Sequence, residues 1–439
     1  MVTMGSYSET SISLRKYSKQ MYSQILEEET GQSSGFNPCG FIELAASADR
    51  AEEFRRISAF NRTCNVDIRE IGPSEVQSLF PLARVDDVHC GFYVPTDGRV
   101  NPVDACMALA KGARHWGAHL YEHSPVDEVL VANGKVTGVR TVGGQVIHAD
   151  IVVNCAGMWA STLARKQGVL VPNQAAEHYY LVTDAMPEVQ SSWPVIEDPE
   201  NFTYIRPEGA GLLIGLFEGE GAIWHPPADG HFSFGEIEPD LERLAPYLER
   251  AMSRVPASFE VGMKKLFCGP ESFSPDGGPI VGEAPEIDNY FVAAGLNSIG
   301  ILTGPGIGKL LAHWIYNEKK TPNTLSAREA DDLWNVDSFD VTGINIDRFQ
   351  QHHNTPAFKN ERAAEILGNV YKLHYPYKPL ASGRHIKYPP AHAALLEGNA
   401  HFRAVSEWEM ADFFAPSDQS SPPNGGVHRW GRPDWWGHW

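Results

Sequence analysis

No apolar run in the 439 residues approaches the roughly 20 needed to cross a bilayer, so the sequence offers no spanning helix. The opening stretch MVTMGSYSETS lacks both the charged-then-apolar order of a secretory signal and the Arg-rich amphipathic pattern of a transit peptide. Basic residues are scarce, 36 Lys and Arg against 55 Asp and Glu, for a formal net charge of -19. Nucleic acids and anionic membranes select basic surfaces, so neither is expected as a partner. Cysteine is sparse too. Cys39, Cys64, Cys90, Cys106, Cys155 and Cys268 form no CxxC pair, which argues against a zinc site or a disulfide framework and predicts buried thiols in a reducing compartment. No internal repeat of solenoid or propeller type is visible. A small-molecule partner is the expectation these features favour.

What is present divides by periodicity. From Ser11 to Thr30, the residues Leu14, Tyr17, Met21, Tyr22 and Ile25 recur at helical spacing and Gly31 follows as a stop, predicting an opening helix. GFIELAA reads as a strand, Ala51 to Asn61 as a charged helix and VDIREI as an alternating strand. GFYVPTDGRVNPVDACMALAKGARHWGAHLYEH predicts a strand, a Pro/Asp/Gly turn, a helix and a further strand through Ala118 to Tyr121. Three strands joined by Asn-Gly and Gly-Gly turns follow, ending in the apolar run IVVN. Residues 175 to 265 alternate over longer stretches, HYYLVTD, NFTYIRP and GLLIGLFE, before a helix from Glu238 to Met252. That composition predicts an α+β unit whose sheet roofs a pocket. The strand YFVAAGL leads into a helix expected to start near Gly306 to Gly308 and to run through Trp314. Polar stretches at 319–328 and 416–426 read as linkers.

Two stretches carry chemistry. In IVVNCAGMWAS, Ile151 to Ser161, a buried strand ends in Ala-Gly before a helix. Small residues there admit a closely bound ligand and a helix N-terminus offers free N–H groups to a phosphate, although a plain Gly turn has the same pattern. In YFVAAGLNSIGILTGPGIGKLLAHWI, glycines 295, 300, 304, 306 and 308 lie between an apolar strand and an amphipathic helix, more than a turn requires. A flat ligand lying on the backbone accounts for them; a surface loop fits less well, since Ile299, Ile301 and Leu302 are interleaved.

VVNCAGMWA, EHYYLVTD, CGPESFSPDGGPIVGEAP and GLNSIGILTGPGIG, with LEEETG and YVPTDGRVNP upstream, together resemble the FAD-dependent dimethylglycine and sarcosine dehydrogenase family, over about Ser11 to Pro416. The resemblance implies an α/β and α+β architecture: a Rossmann-like FAD domain from 1–174 together with 266–318, and an antiparallel substrate-domain sheet of the glycine-oxidase and sarcosine-oxidase type at 175–265. A linker at 319–339, the family's central extension at 340–416 and a flexible tail at 417–439 complete it. It implies FAD as cofactor and a small N-methyl amino acid as substrate. His178 and Tyr204 would face the flavin as the catalytic pair, keeping the substrate amine deprotonated and oriented. Read from the residues alone, they are a core histidine and a sheet tyrosine. Val126 resembles the residue beside the adenine. Asn154, Ala156, Gly157 and Trp159 resemble the turn beside the pyrophosphate, and Gly295, Asn297, Ser298, Gly300 and Ile301 the loop under the isoalloxazine. The helix after that loop would aim its positive end at a reduced flavin. Arg206 is placed to pair a substrate carboxylate, or to stand as an exposed strand arginine.

The family opens with a strand, a GxGxxG turn and an acidic residue for the ribose, and covalent members hold FAD through a His in that region. Neither precedes Ser11, and the first histidine is His89. The expectation is a partial gene product or a form with a weak grip on FAD. The folate-binding domain that follows in the family is likewise not expected here. The stretch 321–339 is longer than the family's usual connection and has no functional account. The resemblance also implies mitochondria and electron transfer to a soluble flavoprotein. LRKYSKQMYSQILEEETG and EHYYL equally resemble the regulatory subunit of pyruvate dehydrogenase phosphatase, which leaves a non-catalytic binding role as the alternative.

Overall fold

The computed structural model describes residues 7–227, 232–319, 339–415 and 427–432. The chain opens with α1 (Glu9–Gln20) and α2 (Leu26–Thr30), joined without a break by a π-helical turn at Met21–Ile25. Ser8 caps the start by accepting from the Ser11 N–H, and Gly31 ends the segment at φ 65°, a left-handed conformation that glycine adopts without penalty. The predicted opening helix is therefore present.

Strand β1 (Phe41–Ala45), α3 (Ala48–Thr63), β2 (Arg69–Ile71), α4 (Pro73–Leu79) and β3 (Cys90–Val94) come next, then α5 (Pro102–His115), capped by the Asn101 side chain with Pro102 at its first position. Only the last three residues of VDIREI pair as a strand. The strand expected at Ala118 to Tyr121 does not form. That segment is exposed and no strand among the described residues lies beside it, so its β-propensity has no ladder to join.

Strands β4 (Val126–Ala132), β5 (Lys135–Thr141) and β6 (Val146–His148) form an antiparallel meander. Asn133 and Gly134 both have positive φ, the conformation a two-residue hairpin needs. After β7 (Val152–Asn154) and α6 (Ala160–Arg165), the strands β8 (Gln174–Thr183), β9 (Val195–Asp198), β10 (Thr203–Glu208) and β11 (Gly211–Leu216) precede α7 (Leu241–Ser253), capped by Asp240. Then come β12 (Met263–Phe273), β13 (Ile280–Glu283), β14 (Tyr290–Ala294) and α8 (Gly300–Lys319).

The large sheet runs β12-β8-β11-β10-β9-β1-β3-β2, antiparallel except for the parallel β1–β9 pair, so strands from residues 41–94 extend the sheet built from 174–273. It is two-faced, as strand alternation dictates. Tyr179, Leu181, Ile196, Ile205 and Ile214 point to a core closed by α7, and the residues between them point the other way, towards the cavity described below. A smaller sheet, β13-β14-β7, pairs β14 and β7 in parallel, with Val153 of β7 40% exposed.

Beyond the residues that are not described, α9 (Pro356–Asn369) packs Ala363 and Leu367 on Ala176 and Phe273, and α10 (His392–Glu397) leads to the hairpin β15 (Ala400–Val405) and β16 (Trp408–Phe414). Most of the expected linker at 319–339 and much of the expected tail lie outside the described residues. Within 427–432, Trp430 donates its indole N–H to the Asp49 carbonyl at 2.9 Å. No helix among the described residues is long and apolar enough to cross a membrane.

Candidate active site

A cavity of about 1280 Å³ opens between the face of the large sheet turned away from α7 and the segment around α8. Sites for one small ligand typically occupy about 300–1,000 Å³, so there is room for more than a single small molecule. His178 of β8 and Tyr204 of β10 meet in its wall. Nε2 of His178 lies 3.1 Å from the Tyr204 hydroxyl, and the two rings are parallel to within 6°. The ring of Phe217 packs against both.

These positions follow from the sheet. His178, Tyr180 and Val182 alternate onto the cavity face of β8, as Tyr204, Arg206 and Glu208 do on β10. Tyr204 can lie flat because its register partner on β11 is Gly215. His178 stands opposite Gly269 of β12. Strand glycines that mark a close approach were thus the overlooked signal in GLLIGLFE and FCGPES. Burial, followed by the charge of Glu271, pushes the Tyr204 hydroxyl well above its ordinary range. Arg206 borders the cavity but is engaged by the Glu208 carboxylate and the Pro207 carbonyl.

The facing wall combines glycine backbone at 295, 300, 304 and 308 with apolar side chains such as Leu296, Ile301 and Leu311. The loop from Gly295 carries positive φ at Gly295, Asn297 and Ser298. Asn297 clamps it to the end of β12, with Oδ1 accepting from the Ser274 N–H at 2.8 Å and its own N–H donating to the Ser272 carbonyl at 3.0 Å. Helix α8 starts at Gly300 rather than near Gly306, so four of the five glycines are helical. Gly300, Gly304 and Gly308, four residues apart, share the face that borders the cavity. A Cβ built on Gly304 or Gly308 meets no atom within 4 Å, whereas one on Gly306 would sit 2.4 Å from the Leu14 carbonyl oxygen of α1. Two glycines keep the cavity wall flat; the third lets two helices touch.

The turn after β7 completes the site. Cys155 and Gly157 border the cavity. Asn154 is buried and fully engaged, donating to the Ala160 carbonyl and the Tyr290 hydroxyl, both at 3.1 Å, and accepting from the Ala156 N–H. Asn173, which the sequence did not single out, donates to the Gly157 carbonyl and to Ser272 Oγ, tying the turn to β12.

The structure therefore gathers His178, Tyr204, Arg206, Gly157, Gly295, Asn297, Ser298, Gly300 and Ile301 around one cavity. Val126, Asn154, Ala156 and Trp159 do not border it; Val126 and Trp159 face solvent and Asn154 faces the protein. Glu197, Glu271 and Phe217 do border it and were missed. The expectation of uniformly buried cysteines also fails: Cys39, Cys90 and Cys268 are core residues, but Cys106 and Cys155 are exposed.

Away from the cavity, His352, His353 and Glu407 bring ligand-type atoms within 4.8 Å of one another. The Gln350 N–H donates to Nδ1 of His353, which leaves the ring proton on Nε2, 3.3 Å from Glu407. Lys387 stands 3.7 Å from the same carboxylate. Held chiefly by the hydrogen bond from His353, Glu407 is lowered to about 2. The cluster is an ion-pair network centred on Glu407, with His352 Nε2 3.5 Å from the same carboxylate and without a hydrogen-bond partner.

Residues 1–314 match the FAD dependent oxidoreductase family, and residues 337–388 match the FAD dependent oxidoreductase central domain. The chain belongs to the FAD dependent oxidoreductase family. It is 33% identical to human mitochondrial sarcosine dehydrogenase (93% of this chain, 43% of the relative) and 31% identical to rat mitochondrial dimethylglycine dehydrogenase (98% and 49%). It is also 31% identical to the mitochondrial regulatory subunit of mouse pyruvate dehydrogenase phosphatase (96% and 46%). The chain spans about half the length of the curated relatives it matches. Among solved structures, glycine oxidase from Geobacillus kaustophilus superposes with a TM-score of 0.62 at 25% identity, covering 79% of this chain and 85% of that one. The expected α/β and α+β fold of glycine-oxidase type is the one observed.

The residues present fit the cofactor of this FAD dependent family. Gly157, Gly304 and Gly308 each leave open space where a side chain would stand, a cradle that any Cβ would begin to fill, and positive-φ residues at 295, 297 and 298 hold the adjoining backbone in place.

Proposed function

We propose that this chain is the flavin- and substrate-binding part of an oxidoreductase that demethylates a small N-methyl amino acid such as sarcosine or dimethylglycine. The observation that carries the reading is the His178–Tyr204 hydrogen bond, set in a cavity wall opposite the glycines of α8 and the apolar side chains interleaved with them. Bound FAD would supply the hydride acceptor.

The residues of the chain do the rest. Gly157, Gly295, Asn297, Ser298, Gly300 and Ile301 form the surface on which the cofactor lies, with the α8 N-terminus favouring negative charge there. Asn154 and Ala156 shape the turn from behind, and Val126 and Trp159 offer the outward side to the adenosine portion. Tyr204 and His178 take the proton of the substrate ammonium, since an amine must expose its lone pair before the N-methyl carbon gives up hydride. Phe217 and Tyr180 keep that point dry. Arg206 receives the substrate carboxylate at the exchange of its pairing with Glu208. The mitochondrial relatives support a mitochondrial setting for the full-length protein, and the proposal extends to an electron-transfer flavoprotein as its acceptor.

The test is to add FAD to the purified chain, remove the excess, and follow visible flavin absorbance on adding sarcosine or dimethylglycine. Bleaching by either supports the reading; a loaded chain that bleaches with neither overturns it. The phosphatase regulatory relative supports a second reading, a binding protein on the same fold. A chain that takes up no FAD yet retains the relative's partner would favour it.

A further inference from the structure

The hydrogen bond between His178 and Tyr204 can run in either direction. Tyr204 donates when Nε2 is bare and accepts when Nε2 carries the proton. The deciding group lies at the other ring nitrogen. Nδ1 of His178 is buried and has no hydrogen-bond partner, and it looks across 3.9 Å at Oε2 of Glu271, an atom equally buried and equally unpartnered. A potential donor and a carboxylate acceptor thus face each other with nothing else to satisfy them, a pairing that a shift of under an ångström would close.

The strands place them there. Gly269 is the register partner of His178 across β12 and β8, so Glu271, two residues further along, is the diagonal neighbour on the same face. The competing carboxylate, Glu218, is also buried near His178, but Arg243 holds it at 2.6 Å. Glu271 has no such partner.

We infer that Glu271 is a positioning residue: it accepts the Nδ1 proton of His178, fixes the tautomer with Nε2 bare, and so makes Tyr204 the donor in the Tyr204–His178 hydrogen bond. The purpose of this arrangement rests on the demethylation reading above. The Tyr204 oxygen then keeps its lone pairs for the substrate. A substrate ammonium passes one N–H proton to that oxygen as the Tyr204 proton moves to Nε2 of His178. The products are a neutral amine, a neutral Tyr204 and an imidazolium paired with the Glu271 carboxylate. The total charge is unchanged, and only protons have moved.

The test reads the tautomer directly, by 15N–1H NMR of the histidine side chains in the 439-residue chain without added flavin, with the His178 signal identified by its loss in His178→Gln. The wild type should show His178 protonated at Nδ1, and Glu271→Leu should transfer most of the population to the Nε2–H form. A wild-type His178 protonated at Nε2, or a tautomer unmoved by Glu271→Leu, overturns the inference whether or not the chain turns over any amine. Glu271→Gln, an isostere that keeps the fold should the leucine variant fail, gives the second readout on the FAD-loaded chain. Its kcat/KM for an N-methyl amine should fall about 10–100-fold at pH values where the amine is charged, and recover as pH rises and the free amine arrives already deprotonated. A uniform loss across pH would mean that Glu271 only holds the wall in shape.

Discussion

The Tyr204 ring lies flat over Gly215, its register partner across β10 and β11, so closely that a Cβ on Gly215 would sit 1.9 Å from the ring carbon that bears the hydroxyl. Gly215→Ala is therefore expected to displace the ring and break the 3.1 Å hydrogen bond to His178 while leaving the sheet intact, because a β-strand accepts alanine. Turnover of an N-methyl amine by the FAD-loaded chain should drop about 10²–10⁴-fold, matching Tyr204→Phe. If Gly215→Ala keeps wild-type turnover, the flat placement of Tyr204 is irrelevant to the chemistry.

The glycines of α8 separate steric from cofactor effects. Gly308→Ala meets no neighbour and removes a helix-interior glycine, which should raise stability by about 0.5–1 kcal/mol in denaturant unfolding. Gly304 directly precedes Pro305, whose ring disfavours a helical residue with a Cβ, so Gly304→Ala should show no such gain. Gly306→Ala pushes on the backbone of Leu14 and should cost about 1–3 kcal/mol. Gly308→Leu should leave the folded chain stable and abolish FAD uptake, measured by absorbance after desalting. Uptake equal to wild type would show that the flavin does not lie along this face.

Most of the elements were legible because periodicity and turn residues are local, as at Gly31 and the Asn133-Gly134 hairpin. The caps were not read: Ser8, Ser47 and Asp240 accept from the N-termini they open, and α1, α3 and α7 start at Glu9, Ala48 and Leu241 rather than at the expected Ser11, Ala51 and Glu238. What remained hidden depends on pairing between distant segments. Residues 118–121 have strand composition, but no strand lies beside them among the described residues. The α8 start moved to Gly300 because glycines weaken a helical pattern that packing against α1 sustains, with the Gly306 N–H donating to Ser18 Oγ at 3.0 Å. The pairing of His178 with Tyr204 came from family resemblance; their separation of 26 residues carries no contact information until β8, β11 and β10 are laid side by side. Glu197 and Glu271 were missed for the same reason, since only register brings them to the cavity face.

The register pair of carboxylates Glu197, in the cavity wall, and Glu43 should mark the pH profile of stability. Burial, opposed by Arg15, raises Glu197 from 4.5 to about 7. Its register neighbour Glu43 is pushed well above 4.5, first by burial and then by the charge of Glu197. An acid with a raised folded-state value keeps its proton in the folded chain after the unfolded chain has released it. The folded chain therefore binds more protons between pH 4.5 and about 7, and stability falls as pH rises through that window. The melting temperature should decline from pH 5 to pH 7 in the wild type and run flatter in Glu197→Gln. An identical decline in the variant would assign the slope to other groups.

Cys155 provides a probe of cofactor placement that needs no catalysis. It follows the last residue of β7, is exposed, and borders the cavity beside Gly157. Cys106 of α5 is exposed but does not border the cavity, so it serves as an internal reference. Alkylation by a small maleimide, quantified by peptide mass spectrometry, should modify both thiols in the chain without added flavin. Saturating FAD should slow modification of Cys155 by at least about tenfold and leave Cys106 unaffected, because a cofactor seated against the turn after β7 covers the first thiol only. Equal slowing of both would point to a global change on binding. No slowing of either, in a chain that retains FAD, would place the cofactor away from the turn at Cys155–Gly157 and remove that turn from the proposed binding surface.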